Sequence, residues 1–391
     1  MEQRKETPWG MVPQTWKISI VKDEALLVTD YVANGSFASL AENVEYKSEE
    51  DYAVLVRLVD YNNDFQGPFV FIDENAYEFL AKSKLYGDEI IISNVGANVG
   101  TVFKCPRLKW KMSLAPNAIM VKFKGNNDFY YYWLKSKYGQ HMLSSIVTGS
   151  AQPKFNKTNF RDLTIPVPPI NEQKQIAKVL ASLDDKIELN RRINDNLEQQ
   201  AQSLFKSWFV DNASYSGASI SDYFLPSRGK NLLTSDAKGG KVPVVAGGLT
   251  PSAYHDVTNT KAPVITISAS GANAGYVNLW GNPVWSSDSS YIDDTITSNI
   301  YFWYNLLKYN QRNIYESQTG SAQPHIYPKH IGNLLIPDLD MGKVECYDSI
   351  VASMYLQINE IQQENQRLSA LRDALLPKLM SGELKISSLN N

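Results

Sequence analysis

The stretch Thr148-Gly149-Ser150-Ala151-Gln152-Pro153 decides the fold, because it returns 171 residues later as Thr319-Gly320-Ser321-Ala322-Gln323-Pro324. The same offset, held without a gap, carries Leu163, Ile165 and Pro166 onto Leu334, Ile336 and Pro337. It then carries Ile187, Asn194, Leu197 and Leu204 onto Ile358, Asn365, Leu368 and Leu375. Upstream, Gly96-Ala97-Asn98-Val99-Gly100 recurs as Gly271-Ala272-Asn273-Ala274-Gly275, and Trp110 as Trp285, at an offset of 175. A repeated hexapeptide, a second motif in the same order and matched apolar positions mark one structural unit used twice.

Each copy has the same internal order. Strand-like runs, such as Tyr52-Ala53-Val54-Leu55-Val56-Arg57-Leu58 and Asp88-Glu89-Ile90-Ile91-Ile92-Ser93, precede a Gly-Asn turn, an aromatic segment and the Thr-Gly-Ser loop. The aromatic segments Phe129–Leu134 and Ile300–Asn305 have the composition of base-stacking platforms, but runs of this kind are more often buried helices. A proline-containing exit then leads into a long helix.

Downstream of Pro168-Pro169, the residues Ile176, Leu180, Leu183, Ile187, Asn190, Asn194, Leu197, Ala201, Leu204 and Trp208 alternate spacings of four and three. In the second copy the seam runs Tyr347, Val351, Met354, Ile358, Ile361, Asn365, Leu368, Arg372, Leu375 and Leu379. This is coiled-coil spacing, and the polar seam residues Asn190, Asn194 and Asn365 are the type that fixes pairing register. The fold expected is α+β: two globular domains, at 1–170 and 211–340, separated by two long antiparallel helices at about 171–208 and 342–380. The helical segments are bounded at 171–210 and 341–391, the second with the C-terminal tail. A pseudo-twofold through the middle of the seam sets Asn190 near Asn365.

At 391 residues, 43% hydrophobic and 20% charged, the chain has the composition of a folded protein of two domains. No apolar run has the length of a membrane span and the N-terminus lacks a signal-peptide core, so a cytoplasmic protein is expected. Two cysteines without CxxC spacing and four scattered histidines suggest neither disulfides nor a metal site. The net charge of −3 excludes a wholly basic nucleic-acid coat, yet residues 101–161 carry 11 Lys+Arg against one acid, Asp128. That stretch is a candidate phosphate-facing surface. No phosphate-cradling Gly-Lys-Ser/Thr loop and no Asn/Asp-Pro-Pro-aromatic methyl-transfer loop occurs, so no catalytic centre is expected. Asp338 with Glu383-Leu384-Lys385 loosely matches a nuclease pattern, but its parts flank a long helix.

With Trp9-Gly10-Met11-Val12-Pro13-Gln14-Thr15-Trp16 near the start, and Ile165-Pro166-Val167-Pro168-Pro169-Ile170-Asn171-Glu172-Gln173 before the first helix, the chain resembles the DNA specificity (S, HsdS) subunits of type I restriction-modification systems. The Gly-Ala-Asn-x-Gly turn and the repeated Thr-Gly-Ser-Ala-Gln-Pro loop belong to the same pattern. The second copy departs from it at Ile336-Pro337-Asp338-Leu339-Asp340, and lacks the opening tryptophan motif. The resemblance implies two target recognition domains reading halves of a bipartite double-stranded site. It also implies two methyltransferase subunits around the helices, motor-nuclease subunits joining later, and S-adenosylmethionine as cofactor of the methyltransferase, not of this chain.

The residues expected to face DNA are Asn98, Lys109, Lys111, Gln152, Lys154 and Lys157 in the first domain, and Asn273, Gln323 and His325 in the second. Lys suits guanine, and Asn or Gln suits adenine. Two rival classes are a specificity subunit whose partner fuses methyltransferase and nuclease, and a non-catalytic tandem-domain scaffold binding protein or glycan.

Overall fold

The computed structural model describes residues 3–211, 213–320 and 323–386; Ser321 and Ala322 of the second hexapeptide lie outside these. The chain divides into two compact units, Met1–Lys186 with Leu368–Asn391, and Ile187–Arg367. Both divisions fall inside long helices, Ile170–Phe209 and Met341–Met380. The helices were expected as separate segments, but their ends belong to the cores of the units.

In the first unit, a sheet in the order Ala25–Asp30, Ala118–Phe123, Ile90–Ser93, Val102–Lys104 is antiparallel throughout. A second sheet runs Val70–Ile72, Ala53–Val56, Lys111–Leu114, Lys84–Leu85, with Ala53–Val56 and Lys111–Leu114 parallel. The all-apolar Ile90-Ile91-Ile92 is buried on both faces, which is why it reads as a continuous run and not as alternation. Phe129, Tyr130, Tyr132, Trp133 and Leu134 of the helix Asn127–Lys135 are buried, so this aromatic segment is core and offers no stacking platform. Trp9 and Trp16 of the opening motif complete that core, edge-on to Trp133 at 5.6 Å and to Phe129 at 6.3 Å.

The second unit repeats the plan. One sheet runs Ser227–Arg228, Ser289–Ile292, Val264–Ser268, Val277–Trp280; the other runs Ala253–His255, Val242–Val245, Trp285–Ser286, again with one parallel pair. The helix Ile300–Tyr309 buries Phe302, Trp303 and Tyr304. The start of this copy, which the sequence leaves unmarked, lies at Ala218–Ile220. Ile220 N–H donates to Leu334 O at 3.2 Å and Ile336 N–H to Ala218 O at 3.0 Å. In the first unit Lys17–Ile20 pairs with Thr164–Val167 in the corresponding place.

Within each unit the two helical segments pack antiparallel. In the first, Ile176, Ala177 and Leu180 share a core with Leu379 and Met380, and Arg372 Nη1 meets Asp184 at 2.7 Å. Burying a leucine such as Leu180 completely makes its truncation to alanine worth about 2–5 kcal/mol. In the second, Tyr347 Oη donates to Ala201 O at 2.9 Å. The seam is broader than two residues per heptad at the helix ends. Phe205, Phe209 and Tyr355 lie off the seam positions and are buried, because the ends pack on the unit core as well as on each other.

Asn190 is 1% exposed and donates to Asn365 Oδ1 at 2.8 Å and to Glu364 Oε2 at 2.7 Å; Asn365 Nδ2 donates to Ile187 O at 3.3 Å. Under the 171-residue repeat, Asn194 corresponds to Asn365 and Ile361 to Asn190. Isoleucine has no amide to offer, and Asn194 Oδ1 is buried without a hydrogen-bond partner.

Candidate nucleic-acid interface

The two motifs that recur in the sequence meet in space, once in each unit. In the first, Gly96 N–H donates to Pro153 O at 2.9 Å and Phe155 N–H to Asn94 O at 3.1 Å, joining the Gly-Ala-Asn turn to the Thr-Gly-Ser loop. In the second, Gly271 N–H donates to Pro324 O at 3.1 Å and Ile326 N–H to Ala269 O at 2.9 Å. Reciprocal bonds between Thr148 and Lys154, at 2.8 and 2.9 Å, and between Thr319 and His325, at 3.0 and 2.8 Å, close the loops. Gly149 and Gly320 make the closure possible. Both have positive φ, and a Cβ would come within 2.9 Å of Gln152 O and 2.6 Å of Gln323 O respectively.

This frame groups Asn98, Gln152 and Lys154 in the first unit, all exposed. It groups exposed Gln323 with half-buried Asn273 and His325 in the second. Lys154 has no side-chain partner among the described residues, whereas His325 in the equivalent place stacks on Tyr327 with ring centroids 6.1 Å apart. One backbone scaffold thus presents two different side chains. Gln140 Nε2 donates to Gly100 O at 3.0 Å and Gln311 Nε2 to Gly275 O at 2.7 Å, so each Gly-Asn turn is held from below by a glutamine at the same repeat position. Comparing the copies at the 171 offset would have found this pair in the sequence.

The remaining expected residues are elsewhere. Lys109 lies on the Trp110 ring at 4.2 Å and pairs with Glu50 at 3.3 Å. Lys111 donates to the Tyr52 hydroxyl, which raises the pKa of its ammonium, and its Nζ is 4.5 Å from the Tyr52 ring centroid. Lys157 pairs with Asp30 at 2.9 Å. Lys104 pairs with Asp128, and Lys122 with Asp88, the latter raising Lys122 and lowering Asp88. Three cations of the basic stretch 101–161, Lys109, Lys122 and Lys157, therefore face acids of residues 1–100 inside their own unit. The charge asymmetry of the stretch records intramolecular pairing in part. Sequence reasoning also missed Arg228. Its side chain is 43% exposed, and its guanidinium is held at 2.7 Å by Asp288, which also accepts from Ser270 Oγ beside the second loop frame. A two-residue strand, Ser227–Arg228, gives no periodic signal.

Residues 32–199 match the family model of the type I restriction modification DNA specificity domain. The specificity subunit of the type I restriction enzyme MjaIX from Methanocaldococcus jannaschii is 24% identical over 451 aligned positions, covering 98% of this chain and 97% of that protein. The MjaVIII specificity subunit of the same organism is 30% identical over 188 residues, covering 41% of this chain and 42% of its own length. The chain is thus similar to the specificity subunits of type I restriction-modification systems, along nearly its whole length in the MjaIX comparison. The crystal structure of the type I system S subunit from M. genitalium shares the fold, with a TM-score of 0.57 at 19% identity over 93% of this chain and 96% of that one. The family match ends near residue 199, and the second copy is carried by the internal repeat: the same order in the four-stranded antiparallel sheet, the same loop frame and the same glutamine clamp. Among the described residues no helix is long and apolar enough to cross a membrane.

Proposed function

We propose that each unit reads one half of a bipartite double-stranded DNA target through its paired loops. The observation that carries this is the duplicated loop frame, which holds its backbone constant while exchanging Lys154 for His325. Constant backbone with variable side chains is what two readers of different half-sites require. Major-groove edges offer the matching chemistry: Lys154 suits the O6 and N7 acceptors of guanine, and Gln152, Asn98 and Gln323 suit the N6 and N7 of adenine. Arg228, preorientated by Asp288, adds a guanidinium to the second reader. Cations such as Lys109 and Lys111 would contribute phosphate contacts, positioning the duplex without specifying its sequence.

In this proposal the chain carries no catalytic step itself. Two methyltransferase subunits bind around the long helices and use S-adenosylmethionine, and motor-nuclease subunits join that assembly. The helices set the number of base pairs between the half-sites, each 40-residue helix having a length of roughly 60 Å. The adenine to be methylated is extruded into the methyltransferase pocket, since its amino group is inaccessible within the stack. Copurification of the chain expressed with its neighbouring gene products tests this. Two methyltransferase chains per copy, with methylation at a split sequence, are expected. A single fused methyltransferase-nuclease partner assigns the chain to the fused class, and no methyltransferase partner would overturn the proposal.

A further inference from the structure

In each unit an aromatic helix crosses the outer strand of the antiparallel sheet and touches the long-helix pair, but the two junctions differ in charge. In the first unit the junction is closed by cations. Lys104 Nζ sits 4.8 Å from the ring centroid of Tyr131 and 5.5 Å from that of Tyr132, and pairs with Asp128 at 2.7 Å. Tyr132 donates to Asp184 at 2.7 Å, and Arg372 neutralises the same carboxylate at 2.7 Å.

The second unit keeps one of these tyrosines, has its carboxylate at a different helix position, and has no counterpart of Lys104 or Arg372. Strand register equates Lys104, opposite Ile90, with Leu279, opposite Ile265. Aligning Asn126 and Asn299, each just before its aromatic helix, places Tyr304 where Tyr131 stands and Tyr301 where Asp128 stands. The 171-residue repeat equates Arg372 with Ala201. Glu198 Oε1 accepts from Tyr304 Oη at 2.6 Å, and Glu198 has no ion-pair partner among the described residues. Tyr301 and Tyr355 stack with centroids 5.3 Å apart and planes 2° from parallel, and Tyr355 meets Tyr304 edge-on at 5.5 Å. These groups, with Leu279 and Asn278, line a cavity of about 240 Å³. Burial, and then the Glu198 charge, hold the Tyr304 hydroxyl well above its ordinary pKa, so it stays a donor to that carboxylate.

We propose that this cavity binds a primary alkylammonium group, with Glu198 as counter-ion and Tyr301, Tyr304 and Tyr355 as aromatic walls. The ring quadrupoles and a carboxylate together favour a cation over a neutral group of the same shape. Where the first unit supplies its own ammonium from Lys104, the second takes one from outside, either the head of a lysine side chain or a free polyamine.

The test uses the full chain carrying carbon-13-labelled tyrosine rings, titrated with n-butylammonium and with 1-butanol as the neutral isostere. The resonances of Tyr301, Tyr304 and Tyr355 are expected to shift saturably with the ammonium and not with the alcohol. Leu279→Lys, which tethers an ammonium as Lys104 does, should abolish the response, and Glu198→Gln should weaken it at least tenfold. Spermidine and an acetylated Gly-Lys-Gly peptide separate the sources: tenfold tighter binding of spermidine assigns a free polyamine, and equal or tighter peptide binding assigns a protein lysine. Absence of a saturable shift, or an equal response to 1-butanol in the unaltered protein, overturns the proposal whatever the variants do.

Discussion

Asn190 and Asn194 are one helical turn apart on the same seam, and replacing them should have opposite effects on stability. Asn190→Ala removes a hydrogen bond to Asn365 at 2.8 Å and a charge-assisted one to Glu364 at 2.7 Å. These are worth about 0.5–1.5 and 1.5–3 kcal/mol respectively, and the better helix propensity of alanine returns about 0.5 kcal/mol. These terms sum to a net loss of about 1.5–4 kcal/mol, centred on about 2–3 kcal/mol. Asn194→Leu removes a buried carbonyl oxygen that has no partner. Relief of its desolvation, on the order of 1–3 kcal/mol, together with better propensity and less about 1 kcal/mol for fitting a longer side chain into the seam, should stabilise the helix pair by about 1–2 kcal/mol. Hydrogen exchange of the helix amides between Ile187 and Ala201 reads both effects locally. Protection should fall by roughly 30- to 150-fold in the first variant and rise by roughly 5- to 25-fold in the second, at about 1.4 kcal/mol per tenfold. Equal signs for the two variants would refute the account of the asymmetric seam.

Lys154→Ala should cost roughly 1–3 kcal/mol of DNA binding with relaxed discrimination at one base pair, or weaken all sequences alike if the contact is to phosphate. Unchanged affinity for specific and random duplexes removes Lys154 from the interface. Arg228→Ala should reduce methylation at only the half-site read by residues 211–340, with thermal stability altered by about 1 kcal/mol or less, since its pair with Asp288 is partly solvated; equal loss at both half-sites contradicts that placement. Inserting four residues after both Ile187 and Ile358 lengthens each helix by about 6 Å and turns it by about 40°. Methylation mapping should then show a spacer longer by one or two base pairs and unchanged half-sites; an unaltered spacer denies the helices their role as ruler.

Much of this architecture was legible because a repeat constrains sequence over long range. The hexapeptide fixed the copy number, the seam located both long helices, and a pseudo-twofold through residue 192 and its equivalent 363 placed Asn190 by Asn365. What stayed hidden depends on tertiary packing. Phe205, Phe209 and Tyr355 lie outside the seven-residue seam because each faces a unit core. The second copy begins at Ala218–Ile220 with an isolated bridge to Leu335 in place of a four-residue strand, and without the tryptophans that announce the first. At the interface, sequence reasoning found both loops and read their side chains from the repeat. It counted the cations of 101–161 as available, although Lys104, Lys109, Lys122 and Lys157 have acidic partners that composition cannot assign. Arg228 was invisible for the opposite reason: only the fold brings Asp288 and Ser270 to it.

Independent reading of two half-sites by two copies of one scaffold is tested most directly by exchanging residues 211–340 for the matching segment of another specificity subunit and mapping methylation genome-wide. The account predicts that one half of the methylated sequence changes to that of the donor while the other half and the spacer stay as they were. Alteration of both halves, in a complex that still methylates, would contradict it.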